Sequence, residues 1–121
     1  ARTDALYIYD ILECCKKIEE YISGIDQNSF DNNRMMQDAV VRNIEIIGEA
    51  AKALSAESRD ATSEIEWREI MRMRDKIVHH YFRIDLETVW HTAKTDVPAL
   101  AEVLQRIDPG SLESADTGGK S

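Results

Sequence analysis

The sequence lacks any apolar run near the roughly 20 residues that a bilayer-crossing helix needs. No membrane span is expected. Cysteine is confined to the adjacent pair Cys14-Cys15. Neighbours on a helix point about 100° apart and make poor disulfide partners. Free thiols in a reducing cytosol are the expectation, and with them a cytoplasmic location. No set of Cys and His has zinc-ligand spacing, and no acidic cluster resembles a two-metal site, so neither metal nor cofactor is expected. Period-two strand patterns and internal repeats are also missing. The chain opens Ala1-Arg2-Thr3-Asp4, with no initiator Met and no apolar stretch, so a trimmed start and no secretory signal are expected. Basic charge is scarce too: 15 Lys and Arg face 23 Asp and Glu, for a net charge of -8. That balance argues mildly against a nucleic-acid binder, which usually shows a basic surface.

What remains is an ordinary globular composition of 121 residues, 43% hydrophobic and 31% charged. It suits one domain, since domains commonly run about 100–150 residues. The charge is unevenly spread. From Trp67 to Arg83 five basic residues (Arg68, Arg72, Arg74, Lys76, Arg83) meet two acids (Glu69, Asp75), a local +3, while the rest of the chain sums to -11. The acidic remainder could equally face a basic partner protein.

Four helical segments cover most of the chain. Ile8, Ile11, Leu12, Cys15, Ile18 and Ile22 fall at helical spacing and predict a helix over Asp4–Ser23, stopped by Gly24. Asp26-Gln27-Asn28-Ser29 reads as a loop. Asp31 is the expected N-cap of a second helix through Met36, Val40, Asn43, Ile47, Ala50 and Leu54, with small residues at Gly48, Ala50, Ala51 and Ala53 that admit a close neighbour. Ser55 to Thr62 reads as a loop. Ser63-Glu64-Ile65-Glu66 has the capping-box pattern and predicts a third helix over about 64–80. Asp85 should cap a fourth over about 86–107, kinked at Pro98, which lacks a backbone donor. The fold class is therefore all-α, an up-down antiparallel four-helix bundle within a domain at 1–110. The Gly-, Ser- and Asp-rich tail at 111–121 is expected to be disordered.

The stretch Arg74-Asp75-Lys76-Ile77-Val78-His79-His80-Tyr81 carries the chemistry. Acid–base chemistry at a phosphate ester needs a titratable base and acid, and positive charge where negative charge develops on the phosphate. Histidine titrates near neutral pH, and arginine offers a permanently charged fork. Arg74 and His79 are five positions apart, about 140° around a regular helix. Either the long arginine reaches around, or the helix loosens near residues 78–82.

Arg74, four residues, His79, one residue, Tyr81 resembles the defining motif of the HepT toxins, a branch of the HEPN ribonuclease superfamily. Arg42-Asn43-Ile44-Glu45-Ile46-Ile47-Gly48-Glu49-Ala50-Ala51 is similar to that family's second-helix signature, and Trp67-Arg68-Glu69-Ile70 and Ile84-Asp85-Leu86-Glu87-Thr88-Val89-Trp90 also fit. The resemblance spans about residues 4–107. It implies a HEPN-fold homodimer in which both motifs line one cleft. It also implies the toxin of a type VII (HEPN/MNT) toxin–antitoxin pair: a metal-independent endoribonuclease acting on cellular tRNA or mRNA and leaving a 2′,3′-cyclic phosphate. Arg74 and His79 would be catalytic, with Asp75 in support by orienting one of them; His80, on the residues alone, reads as solvent-facing or phosphate-facing support. Tyr81 would be the acceptor of AMP from an MntA-type nucleotidyltransferase antitoxin. On the residues alone, Arg74 reads first as a surface ion-pair partner, His79 as a packed or capping histidine and Tyr81 as a half-buried aromatic. The resemblance reverses that order for these three only. Trp67 and Trp90 read as core or dimer packing, and His91 as ordinary surface. The alternative function is non-catalytic: a helical subunit presenting substrate or nucleotide to a nucleotidyltransferase.

Overall fold

The computed structural model describes residues 3–79, the last two by backbone alone, and residues 85–107. The tail expected to be disordered lies outside the described residues. Those described are all helical, with no strand among them.

Helix α1 (Asp4–Ile22) starts at Thr3, whose side chain accepts from the Leu6 amide at 3.3 Å. Of the predicted stripe it buries Ile8, Ile11, Cys15, Ile18 and Ile22 and half-buries Leu12, and it adds Cys14. Neither cysteine is in a disulfide. The helix stops before Gly24, whose φ of +74° is a left-handed conformation that favours glycine.

The segment read as a loop at 26–29 instead opens a short helix, α2 (Gln27–Asp31), capped by Asp26. Its purpose is tertiary. Phe30 is fully buried and packs against Trp90 with ring centroids 5.3 Å apart. The buried Gln37 amide donates to the carbonyls of Phe30 (2.9 Å) and Asp31 (3.1 Å), satisfying the end of α2. Asn33, not Asp31, therefore caps α3 (Arg34–Ala53), accepting from the Met36 amide at 3.0 Å.

A second expected loop contains α4 (Ala56–Ala61), capped by Ser55. Asp4, 4% exposed, accepts from the Ser55 amide at 3.1 Å and from the hydroxyls of Ser55 and Ser58. One buried carboxylate thus ties the start of α1 to the end of α3, which makes those two helices antiparallel.

The capping box at 63–66 does not open a helix. Helix α5 (Trp67–His79) begins at Trp67, and the Glu66 carbonyl accepts its first bonds, from Glu69 and Ile70. Burial decides this. Ile65 and Trp67 both enter the core, and the indole N–H of Trp67 donates to the buried Thr62 hydroxyl at 2.8 Å. Thr62 in turn donates to the Ser58 carbonyl at 2.7 Å. A helix begun at residue 64 would give up this arrangement, worth more than a cap.

The last segment follows the sequence closely. Asp85 caps α6 (Leu86–His91), accepting from the Thr88 amide at 3.2 Å and its hydroxyl at 2.7 Å. A π-type turn, Thr92–Asp96, leads into α7 (Val97–Gln105). The irregularity expected at Pro98 takes this form: the widened turn just before the proline accommodates its ring and missing donor.

In the bundle α3 packs against both α1 and α5, and α7 packs against α1. Between α5 and α7 lies an open groove of about 490 Å³, floored by Ile65, Ile70, Met73, Leu100 and Val103 and edged by Glu64, Glu66, Glu69 and Asp96. Trp67 and Trp90 serve the core, and His91 is exposed.

Candidate functional site

Arg74 sits where α5 crosses α3, and the crossing is made possible by a missing side chain. A Cβ placed on Gly48 would lie 2.3 Å from both Cβ and Cγ of Arg74 and 3.1 Å from its Cδ. Only glycine leaves room for the arginine stem to cross α3. The stem is thereby fixed, and its side chain is 23% exposed.

The guanidinium is held by two carboxylates. Nη1 donates to Asp75 Oδ1 at 2.9 Å, and Nη2 to Glu49 Oε1 at 3.4 Å. Lys52 Nζ donates to the same Asp75 oxygen at 3.0 Å. Nε of Arg74 is buried and finds no partner among the described residues. The hydrogen bond to Asp75 raises the arginine above its ordinary pKa; burial opposes this and Glu49 assists. Asp75 is held below the usual carboxylate range, first by Lys52 and then by Arg74. At neutral pH Arg74 and Asp75 are therefore both charged.

Helix α5 remains helical through His79, so no loosening occurs before that residue. In that register residue 79 follows Asp75 by four positions and shares its face, whereas Arg74 projects toward α3. The side chain of His79, and all of His80 and Tyr81, lie outside the described residues. Among the described residues no three His, Cys, Asp or Glu side chains gather as a metal site would require.

Sequence reasoning named Arg74 and Asp75 but missed Glu49 and Lys52. The signal was present. Both lie within or beside the α3 signature, three residues apart, on the face that Gly48 opens toward α5.

Comparison with known proteins decides the lineage. The family described as "Ribonuclease HepT-like" matches residues 11–107, which include the α3 face and the whole Arg74–Tyr81 motif. This chain belongs to the HepT-like ribonuclease family. Among its relatives is "Probable ribonuclease HepT" of Thermococcus cleftensis, 40% identical over 84% of this chain and 92% of that protein. "Putative RNase MJ1216" of Methanocaldococcus jannaschii is 38% identical over 84% of each. "Gamma-glutamylcyclotransferase and putative RNase MJ0434", from the same organism, is 41% identical over 84% of this chain. The chain spans only 46% of that last relative. No solved structure matches significantly. The HepT-like family carries the HEPN fold, and the helical bundle described above is of that type.

Proposed function

We propose that this chain is an endoribonuclease that cuts cellular RNA, tRNA or mRNA, without a metal ion. The observation that supports this best is the Arg74 crossing: a guanidinium wedged over Gly48 and braced by Glu49 and Asp75, five residues ahead of a histidine. A fork fixed in this way is suited to a phosphate, whose charge grows in the transition state. In the reaction the 2′-oxygen attacks phosphorus as His79 takes its proton. The bond from phosphorus to the 5′-oxygen breaks, and a second imidazole, the partner subunit's His79, supplies the proton to the leaving oxygen. The products are a 2′,3′-cyclic phosphate and a 5′-hydroxyl. Arg74 neutralises the phosphorane between them. A homodimer with both α5 ends on one cleft supplies the two histidines.

Purified protein incubated with total RNA in EDTA should cleave it, and Arg74→Ala and His79→Ala should each lose cleavage while keeping the helical circular dichroism of the wild type. Undiminished cleavage by folded His79→Ala would refute the assignment.

In the same reading the protein is the toxin of a toxin–antitoxin pair, and Tyr81 receives AMP from a nucleotidyltransferase antitoxin. AMP would bring negative charge and bulk to a site built for phosphate and exclude RNA from it. Mass spectrometry after incubation with the antitoxin and ATP should find the adduct on Tyr81. An unmodified Tyr81 under those conditions would remove the switch from the scheme.

A further inference from the structure

Lys52 on α3 and Arg74 on α5 donate to one and the same oxygen, at 3.0 and 2.9 Å, so two cationic heads from two helices lie within about 6 Å of each other. In a chain with net charge -8 this convergence is a local exception. The two cations are not equivalent. The Lys52 side chain is 45% exposed and that of Arg74 is 23% exposed. Arg74 is wedged over Gly48 by its first two side-chain carbons and cannot swing away. Lys52 carries a compact charge on a flexible stem and can change partners without moving the backbone. An exposed lysine–aspartate pair contributes little to stability, so folding gives no strong reason for this contact. Departure of Lys52 would leave Asp75 to Arg74 alone, so the arginine stays anchored when the lysine moves.

We infer that Lys52 is a phosphate-binding residue of the RNA site: it exchanges Asp75 for a backbone phosphate adjacent to the one that Arg74 holds. The inference rests on the ribonuclease reading. It divides the labour between a fixed fork at the reacting phosphate and a mobile clamp on the neighbouring strand.

Binding of a fluorescein-labelled, single-stranded 2′-O-methyl oligoribonucleotide tests it, because such RNA lacks the attacking hydroxyl and stays intact. Anisotropy titrations over a series of salt concentrations should show Lys52→Gln weakening binding and flattening the dependence of log K on log salt by about 0.7, the loss of one phosphate contact on a single strand. Lys52→Arg should retain the wild-type slope, as should Lys16→Gln on the exposed side of α1. Weaker binding by Lys52→Gln with an unchanged slope would mean that the lysine only supports the fold, and would overturn the inference while leaving the ribonuclease reading intact. A wild type that fails to bind the oligonucleotide also overturns it; cleavage of total RNA then decides the ribonuclease reading separately.

Discussion

Gly48 is the residue on which the placement of Arg74 depends. Glycine inside a helix is destabilising by roughly 0.5–1 kcal/mol relative to alanine, and here the open space is filled by another helix's side chain. Gly48→Ala would gain helix propensity and yet force a methyl to within 2.3 Å of the Arg74 Cβ, an atom fixed to its backbone. Relief requires α3 and α5 to separate. The expected outcome is a loss of about 1–3 kcal/mol, typical of overpacking, seen as a fall in Tm of several degrees in thermal unfolding, with RNA cleavage lost beyond what stability explains. A Gly48→Ala protein as stable and active as the wild type would mean that the crossing is not tight. The neighbouring carboxylate has a defined pH behaviour. Asp75 titrates below its ordinary range, so its contribution to stability is present above the unfolded carboxylate pKa and is lost as pH falls through the lowered value. The hold of Asp75 on Arg74 is thus complete at neutral pH. Cys15 takes no part in this chemistry: burial pushes its thiol up to about 12, and it stays neutral in the core.

At the scale of elements, the long helices were legible and the short ones were not. The α1 stripe is read from spacing alone because one face of a long helix must meet the core. The cap at Asp85 was legible for a similar reason, since the Thr88 amide and hydroxyl it accepts from lie only three residues on. Helices α2 and α4 were hidden because each is about one turn, too short to show periodicity, and each is held by a distant group: Phe30 by Trp90, and Ser55 and Ser58 by Asp4. The apparent capping box at Ser63 shows the reverse case. A local pattern was present, and the burial of Ile65 and Trp67 overrode it. Of the candidate site, the motif on α5 was visible because it is contiguous. Its α3 half was overlooked because Glu49 and Lys52 acquire a role only when another helix crosses Gly48.

The whole molecule is acidic, and an RNA-cleaving site must work against that background. Long-range repulsion of RNA is reduced by distance and salt, with a Debye length of about 8 Å at physiological ionic strength. Local cations at a cleft can therefore prevail over a net charge of -8. Doubling the locally positive stretch from Trp67 to Arg83 across a two-fold axis would strengthen this effect, which is one physical reason for a dimeric site. In such a cleft a heterodimer of one wild-type and one His79→Ala subunit, isolated with two different tags, should fall far below half the wild-type rate. It has lost one of the two imidazoles that serve as base and acid. A heterodimer that keeps half or more of the wild-type cleavage would count against a shared cleft.

The sequence by itself determined the helical class, the faces of the long helices, the positions of the main stops, and the contiguous motif on which family membership turns. These depend on interactions within a few turns of one chain segment, so spacing records them. The tertiary structure alone decided that Arg74 lies across Gly48, that Glu49 and Asp75 share its guanidinium, and that Lys52 reaches the same carboxylate oxygen. Apart from the bond between the neighbours Arg74 and Asp75, those contacts join residues more than 20 positions apart, and they exist only once α5 has settled on α3 at the point where a side chain is missing.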